Sequence, residues 1–341
     1  MHVLEHKHQI ARLKEELSSP KRVLITTHQG PDGDAMGASL AFYQFLKKMG
    51  HDVAVVTPND YPEFLNWLPH NGDVVNYMRQ KVLAEDLIAN ADYIFHLDYN
   101  QLRRSADMTN TLANATAVRV MIDHHPEPNL LVKYSFSDTT ASSTCELLLT
   151  IMQAWNNDLI DSDIATCIYT GVMTDTGCFS FPNATARTFT VASVLLSYGI
   201  DRTMIYDRIY DNFSAQRMRL MGYCLNDKME VFPEYRTALI SLNLEEQRRY
   251  DFVVGDSEGF VNLPLSIKGI RFSAFFLEKE DKVKISFRSK GDFSTNDFAR
   301  KHFKGGGHLN ASGGETKMAL DAAIRQFREL LPAYQKALNA L

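Results

Sequence analysis

Short apolar runs that alternate with helical segments constrain the fold of this chain more than any other feature. They are residues 22–27, 52–57, 91–97 and 117–122. Each run is rich in β-branched and aromatic residues, which is typical of a buried strand in a parallel sheet. The alternation predicts an α/β fold with a doubly wound, mostly parallel sheet and helices on both of its faces.

Polar residues follow three of these runs at the point where each strand is predicted to end. His28 follows the first run, Asp98 the third, and Asp123-His124-His125 the fourth. The carboxyl ends of parallel strands lie along one edge of a sheet, so residues far apart in sequence can meet there. Taken alone, the triplet is more typical of a turn with surface histidines than of a functional site.

Three further aspartates lie beside predicted helix ends. Asp32 and Asp34 lie in the turn-rich loop that opens the first small-residue helix, and Asp175 lies between threonines at the end of a helix predicted over 161–173. Taken alone, Asp32 and Asp34 are typical turn-forming residues. Asp175 taken alone is compatible with a plain helix cap. Their convergence with the strand-end residues instead favours a shared site.

Carboxylates crowded into one crevice repel each other, and the pKa of each rises unless a cation neutralises the group. Four of these five aspartates, balanced against two divalent ions, leave about zero net charge. Mixed His and Asp ligands suit Mn²⁺, with Mg²⁺ the weaker candidate. The sequence therefore predicts a centre for two metal ions.

Two domains are expected, because 341 residues exceed the size at which one core usually stops growing. We predict a metal-binding domain over 1–185, a helical connector over 186–228 and a smaller α/β domain over 229–341. The last is predicted to hold strands over 235–242, 270–277 and 283–288, helices over 295–303 and 318–337, and a glycine loop over 304–308.

Two residues of this second domain have alternative interpretations. The strand over 283–288 has one apolar and one basic face, and Arg288 on the basic face is either a ligand-binding or a solvated residue. His308 follows three glycines and is either a functional or a flexible loop residue.

Charge and composition limit the classes of partner. A net charge of −5 excludes a strongly basic surface that coats nucleic acid, so any nucleic-acid substrate is expected to be small. The charged N-terminus and the lack of an apolar stretch of about 20 residues favour a cytoplasmic protein without membrane attachment. Four cysteines without CxxC spacing favour reduced thiols.

The ordered motifs resemble those of the DHH phosphoesterase superfamily, which includes RecJ-type exonucleases and family II inorganic pyrophosphatases. The match comprises His28-x-x-x-Asp32-x-Asp34, Asp98, Asp123-His124-His125 and Asp175. Gly305-Gly306-Gly307-His308 is similar to the signature of the associated C-terminal domain. The resemblance covers nearly the whole chain and favours the oligoribonuclease and pAp-phosphatase (nano-RNase) branch.

The resemblance also implies roles for individual residues. One metal ion is expected on His28, Asp32 and Asp98. The other is expected on Asp34, Asp98, His124 and Asp175, so that Asp98 bridges. Asp123 is expected to orient the imidazoles and His125 to donate a hydrogen bond to the substrate. Arg103 matches a family arginine, but Arg104-Ser105 departs from the apolar-Gly pair that usually follows.

Substrate contacts are expected from both domains, with the active site in the cleft between them. Arg288 and His308 are expected to clamp a phosphate or base of the substrate. The backbone of Gly305, Gly306 and Gly307 is expected to approach the nucleotide and donate N–H groups. Ser143 is a weaker candidate for a phosphate contact.

The resemblance implies a Mn²⁺-dependent phosphoesterase that hydrolyses short RNA and 3'-phosphoadenosine 5'-phosphate (pAp). A cyclic- or linear-dinucleotide phosphodiesterase would share every metal ligand and stays an alternative. The glycine motif weighs against a pyrophosphatase. A non-catalytic nucleotide-binding regulator is the alternative from another class, and the complete ligand set weighs against it. Long nucleic acids and membranes are not expected as partners, and a homodimer is compatible with the sequence.

Overall fold

The computed structural model describes residues 2–340, with side-chain environments from residue 6 onward. The chain divides between Asn212 and Phe213 into two compact units, called unit 1 and unit 2. The predicted connector over 186–228 spans this division, because two of its three helices belong to unit 1 and the third to unit 2. Within the described residues, no helix combines the length and the apolar character needed to cross a membrane.

Unit 1 alternates strands and helices along the chain. Its elements are α1 (His2–Glu16), β1 (Arg22–Thr26), α2 (Gly33–Lys48), β2 (Asp52–Thr57), β3 (Val74–Asn76), α3 (Lys81–Asn90), β4 (Tyr93–Leu97), α4 (Thr109–Asn114), β5 (Val118–Asp123), β6 (Tyr134–Ser137), α5 (Thr144–Asn156), α6 (Ser162–Asp175), α7 (Ala186–Leu196) and α8 (Arg202–Tyr210).

The strands of unit 1 form one sheet of six parallel strands in the order β3-β2-β1-β4-β5-β6. The predicted parallel sheet is confirmed, and the four predicted strands are its centre. Both edge strands, β3 and β6, were not predicted. Strand order reverses between β1 and β4, and open α/β sheets bind ligands outside the carboxyl ends of the strands at such a point.

Apolar cores cover both faces of the sheet. One core includes buried side chains of α2, α5 and α6, and the other those of α3 and α4. Two glycines let α2, α5 and α6 approach closely. A Cβ at Gly37 would lie 2.4 Å from the carbonyl oxygen of Cys167, and one at Gly171 would lie 2.3 Å from Cys145 Sγ. This close packing brings Asp34 on α2 near the end of α6, where Asp175 lies.

Unit 2 begins with a helix and continues with a sheet covered by helices. Its elements are α9 (Ala215–Asn226), β7 (Met229–Phe232), β8 (Thr237–Leu242), α10 (Leu244–Arg249), β9 (Phe272–Glu278), β10 (Val283–Ser289), α11 (Thr295–His302), β11 (Gly306–Gly307), β12 (Ala311–Thr316) and α12 (Leu320–Asn339).

The second sheet has six strands in the order β11-β12-β10-β9-β8-β7 and is antiparallel except for the pair β8 and β9. The predicted hairpin of β9 and β10 is confirmed. On β10, Val283, Ile285 and Phe287 are buried while Lys284 is exposed, which confirms the predicted alternation. A phenylalanine-rich core lies under α11 and α12.

The predicted glycine loop over 304–308 is corrected in part. Gly306 and Gly307 form the short strand β11 and pair with Gly313 and Ser312 of β12, a strand that was not predicted. A Cβ at Gly305 would lie 1.9 Å from the carbonyl oxygen of Gly313. Glycine is therefore required here by contact between backbones.

Candidate metal centre and substrate-binding residues

The loop after β1 supplies His28 and Asp32. Asp32 caps α2, since its Oδ1 accepts hydrogen bonds from Asp34 N (3.0 Å) and Ala35 N (3.1 Å). His28 Nε2 lies 3.2 Å from Asp98 Oδ2 and 3.9 Å from Asp32 Oδ1. The turn-forming and ligand interpretations of Asp32 are thus compatible, because the capping carboxylate also faces the imidazole.

Asp98 lies at the centre of the site, directly after β4. It has a left-handed backbone (φ 65°), which is uncommon outside glycine, and its N–H donates to Ile122 O at 3.0 Å. Its Oδ1 accepts a hydrogen bond from Thr144 Oγ1 at 2.9 Å, while Oδ2 faces His28. Burial alone would raise the pKa of Asp98, but the hydrogen bond with His28 and nearby imidazolium charge hold it well below the usual range.

Asp34 is held by the N-terminus of α5. Its two carboxylate oxygens accept from the backbone N–H groups of Thr144 (2.6 Å) and Cys145 (2.9 Å). A carboxylate at this position is favoured by the free amides and the dipole of the helix. Even so, its burial and the negative charges of Asp98 and Asp175 raise its pKa well above the usual value.

His124 faces three carboxylates. Its Nε2 lies 3.5 Å from Asp175 Oδ2, 3.6 Å from Asp98 Oδ1 and 3.9 Å from Asp34 Oδ2. Its Nδ1 lies 3.3 Å from Ala141 O, a carbonyl that can only accept. Burial lowers the pKa of His124, but the charges of Asp175 and Asp98 outweigh it and raise the pKa to about 9.

Asp123 orients His125. Its Oδ2 accepts from the His125 N–H at 3.0 Å, and its Oδ1 lies 2.8 Å from His125 Nδ1. Asp123 is fully buried, and burial together with the charge of Asp98 raises its pKa to about 7. The contact of Nδ1 with Asp123 fixes the orientation of the His125 ring, as an orienting role of Asp123 requires.

Among the described residues of unit 1, three sets of side chains could each hold a metal ion, since within each set the ligand atoms lie within 4.8 Å of one another. They are His28, Asp32 and Asp98; Asp34, Asp98 and His124; and Asp98, Asp123 and His125. The first two sets share Asp98 and correspond to the two predicted ion sites, with Asp175 adjoining the second through His124. Buried oxygen and imidazole ligands crowded in this way fit divalent cations, which would relieve the repulsion that raises the pKa of Asp34.

Comparison with known proteins identifies the family. Residues 22–172 match the N-terminal domain of the DHH family, and residues 246–337 match the DHHA1 domain. The bifunctional oligoribonuclease and PAP phosphatase NrnA of Thermus thermophilus is 30% identical over 328 residues, covering 94% of this chain and 91% of that protein. The chain belongs to the DHH family.

Two further relatives support this assignment over nearly the full length. The NrnA protein of Bacillus subtilis is 27% identical and covers 85% of this chain and 88% of its own. The crystal structure of an exopolyphosphatase-related protein from Bacteroides fragilis is 41% identical, with a TM-score of 0.92 and 98% of both chains covered. DHH phosphoesterases are metal-dependent enzymes, in agreement with the side-chain sets around Asp98.

Thr144 and Asn100 contribute to the site of this DHH protein but were not predicted. Thr144 contacts both Asp34 and Asp98, as described above, and Asn100 Nδ2 donates to the carbonyl oxygens of His125 and Pro126, both at 3.0 Å. The Ser142-Ser143-Thr144 run lies at the start of α5. Which of its three hydroxyls faces the site depends on the geometry of the cap and could not be derived from residue type.

Arg103 and Ser143, two further predicted site residues, differ in exposure and in hydrogen-bond partner. Arg103 is exposed, and its Nε donates to Gln101 Oε1 at 2.7 Å. Ser143 is fully buried and caps α5, since its Oγ accepts from Glu146 N at 3.0 Å. This geometry does not support the predicted phosphate contact of Ser143.

The substrate-binding residues predicted in unit 2 lie around β10 and β11. Arg288 is half-buried, and its Nη1 donates to Phe287 O at 2.9 Å. His308 is also half-buried, and its N–H donates to Ala311 O at 2.7 Å. The N–H groups of Gly305 and Gly307 donate to Ala299 O (3.2 Å) and Asn296 Oδ1 (2.9 Å) within the unit. These two amides therefore serve the fold, in contrast to their predicted role as nucleotide donors.

Proposed function

We propose that the protein is a Mn²⁺-dependent phosphoesterase that hydrolyses short RNA oligonucleotides and pAp. The observation that carries the proposal is the pair of ligand sets, His28 with Asp32 and Asp34 with His124, that meet at Asp98. Oligoribonuclease and PAP phosphatase activities appear in the names of relatives that match nearly the whole chain. We expect two ions, with Mn²⁺ preferred over Mg²⁺ because imidazoles take part.

Divalent ions in these two sets would activate a water molecule and neutralise charge on the phosphoryl oxygens. Hydrogen bonds within the protein hold two of the ligand side chains in place. Asp34 is fixed by two amides of α5, and Asp98 by Thr144. Preorganisation of this kind lowers the cost of reaching the transition state.

His125 is proposed as the proton donor to the leaving oxygen. Its Nδ1 is held by Asp123 at 2.8 Å, so the opposite ring nitrogen is the one that can face the substrate. A general acid must reach the atom that it protonates, and the hydrogen bond to Asp123 fixes the ring orientation that this requires.

Recognition of the rest of the substrate is proposed for Arg103 in unit 1 and for Arg288 and His308 in unit 2. Arginine suits phosphate through its forked donors, and histidine adds one further donor. The amides of Gly305 and Gly307 have partners within the unit and Gly306 pairs with Gly313 of β12, so the side chains of Arg288 and His308 are the proposed donors of unit 2.

The proposed substrate length can be tested directly. We expect kcat/KM for RNA of about two to five nucleotides to exceed that for a 20-mer, with weak salt dependence, because few phosphates are contacted. The experiment compares a dinucleotide, a pentamer and a 20-mer of one sequence at two salt concentrations, with pAp, a cyclic dinucleotide and pyrophosphate assayed in parallel.

The outcomes separate the candidate functions. Equal cleavage of the 20-mer and the dinucleotide would contradict the short-RNA proposal and favour a RecJ-type exonuclease. Preference for the cyclic dinucleotide would favour that phosphodiesterase class. The Asp98→Asn variant serves as the control for contaminating nucleases.

Cellular location and assembly are further parts of the proposal. All four cysteines are free, which fits a reducing compartment such as the cytoplasm. A homodimer stays a prediction, and sedimentation equilibrium tests it.

A further inference from the structure

A network of polar side chains connects the start of α7 with the loop between β6 and α5. We call it the polar latch, and its members are Asp138, Ser142, Glu146, Asn183, Arg187 and Thr188. None of these residues belongs to the ligand sets around Asp98. The latch nevertheless holds two segments that carry or support metal ligands.

Glu146 lies at the centre of the polar latch and is completely buried. Its Oε2 accepts from Ser142 Oγ (2.6 Å) and Thr188 Oγ1 (2.9 Å), and its Oε1 lies 2.9 Å from Arg187 Nε. A buried carboxylate requires such partners because its desolvation is costly. Glu146 therefore joins the loop before α5 to the first turn of α7.

Arg187 extends this connection to the other end of the same loop. Its Nη1 donates to Asp138 Oδ2 at 2.8 Å, directly after β6. Asp138 Oδ1 in turn accepts from the N–H and the hydroxyl of Thr140, at 3.0 and 2.6 Å. One guanidinium thus fixes both ends of the segment 138–146.

Asn183 ties this loop to the end of α6. Its Nδ2 donates to Ser142 O (3.0 Å) and to Asp175 O (3.1 Å). Both partners are carbonyl oxygens, so only the amide nitrogen can face them, and Asn183 Oδ1 is left buried without a hydrogen-bond partner. The two donated bonds therefore connect the loop before α5 directly to the end of α6.

The segment held by the latch contacts the metal ligands at three points. Ala141 O lies 3.3 Å from His124 Nδ1, Thr144 N donates to Asp34, and Thr144 Oγ1 donates to Asp98. A hydrogen bond at one imidazole nitrogen fixes which nitrogen is presented to a metal.

We propose that Asn183 and Arg187 are positioning residues of the metal centre. They hold the segment 138–144 and the end of α6 in register, so that His124 turns Nε2 toward Asp34, Asp98 and Asp175. This inference rests on the proposed function, since it assumes that these side chains bind divalent ions. A purely structural ion pair would stabilise the fold without affecting metal affinity.

The Asn183→Ala variant tests the proposal with the smallest disturbance, because it removes the two donated bonds and the unsatisfied oxygen together. We expect the dissociation constant for Mn²⁺, measured by isothermal titration calorimetry without substrate, to increase on the order of 10-fold or more. With Mn²⁺ limiting, kcat is expected to fall while KM for a dinucleotide is unchanged. Thr190→Ala, on the exposed face of α7, is the matched control.

Arg187 requires a design that leaves no buried charge unpaired. The double variant Glu146→Gln with Arg187→Met removes both charges, and Arg187→Lys keeps the charge but not the fork that spans Glu146 and Asp138. We expect Mn²⁺ affinity to fall in the order wild type, Arg187→Lys, double variant. Arg208→Met, an exposed arginine of α8, is the control.

The two hypotheses can fail separately. If the wild-type protein binds no Mn²⁺, the proposed function is wrong. If the wild type binds Mn²⁺ and the Asn183→Ala and double variants bind it equally well, with only a lower melting temperature, the latch is structural and the inference is overturned.

Discussion

The two sheets of this protein present polar residues in different ways. In unit 1 all six strands are parallel, so their carboxyl ends share one edge, and His28 and Asp123 both lie close to Asp98 there. In unit 2 neighbouring strands mostly run in opposite directions, so strand ends alternate between edges. Its polar candidates lie instead on a strand face, as with Arg288, or beside a glycine strand, as with His308.

Burial differs between the two regions as well. Asp34, Asp98 and His124 are at most 4% exposed, whereas Arg288 and His308 are half-buried. Buried charges are tolerated only where partners or ions compensate them. We infer that unit 1 is built to hold ions in fixed geometry and that unit 2 is built to meet a substrate, so the same kind of substitution should have different consequences in each.

The largest expected effect follows substitution of the residue shared by both ligand sets. Asp98→Asn is expected to reduce turnover on the order of 10³-fold or more, because one change disturbs both ion sites. The matched change in unit 2, Arg288→Ala, is expected to leave Mn²⁺ binding unaltered. Activity with a dinucleotide and metal content by elemental analysis check both. Activity of Asp98→Asn close to that of the wild type would refute a bridging role.

Substitution of a closely packed glycine by alanine, compared between the two units, is expected to give the next largest effect. Gly171→Ala in unit 1 would place a Cβ 2.3 Å from Cys145 Sγ and 2.9 Å from Asp34 Oδ1, so we expect a loss of about 1–3 kcal/mol in the free energy of unfolding. Mn²⁺ affinity should fall as well, because Asp34 is displaced. Gly305→Ala in unit 2 is expected to destabilise β11 and β12 while Mn²⁺ affinity is retained.

Gly222→Ala is the control for both glycine variants. Gly222 is exposed in α9 and has no atom within 4 Å of an added Cβ, so the variant should unfold at the same or a higher denaturant concentration. If Gly171→Ala retains wild-type Mn²⁺ affinity, the close packing of α2 and α6 does not position Asp34.

The sequence predicted unit 1 better than unit 2 for a physical reason. A buried parallel strand is a continuous apolar run, and the residue at its carboxyl end lies at one edge of the sheet, so these runs predicted that Asp98 and Asp123 lie close together, as the structure shows. β12, with the sequence Ala-Ser-Gly-Gly-Glu-Thr, has no apolar alternation and was missed. β3 is only three residues long and half-buried, which gives no periodic signal.

Side-chain roles within the site were predictable only where residue type determines them. Ser143 was proposed as a phosphate contact, yet its hydroxyl caps its own helix while the hydroxyl of Thr144 reaches Asp98. The left-handed backbone of Asp98 is imposed by tertiary contacts and leaves no sequence signal. The bonds of Asn183 to Ser142 and Asp175 join segments that are distant in sequence.

A smaller effect, on KM, is expected from truncation of the polar candidate residues of unit 2. Arg288→Ala and His308→Ala are each expected to raise KM for pAp and for a dinucleotide by about 10-fold, the cost of one hydrogen bond to a charged group. Mn²⁺ affinity should not change. Steady-state kinetics at saturating Mn²⁺ check this, and Lys284→Ala, an exposed residue on the same strand, is the control. Unaltered KM in both variants would restrict recognition to unit 1.

The smallest expected effect concerns how the edge of the parallel sheet is secured. Glu16, at the end of α1, accepts hydrogen bonds from Lys133 Nζ (2.7 Å), Tyr134 Oη (2.7 Å) and Tyr93 Oη (2.9 Å). These bonds, that of Lys133 foremost, outweigh partial burial and lower the pKa of Glu16 from 4.5 to about 2. A carboxylate with a lowered pKa in the folded state stabilises the protein above its unfolded pKa, and this contribution is lost as pH falls toward the folded pKa.

We therefore expect Glu16→Gln to reduce the free energy of unfolding of the protein by about 1 kcal/mol at pH 7, a value that allows for solvent screening of a partly exposed pair. The difference from the wild type should shrink as pH falls below 4.5 and vanish near pH 2. Denaturant unfolding at pH 7, 4.5 and 3 measures it. In unit 2, Glu246 has comparable partners in Lys228 and Tyr223, so Glu246→Gln provides the matched variant. A difference between Glu16→Gln and the wild type that stays constant over this pH range would show that the hydrogen bonds of Glu16 do not depend on its charge.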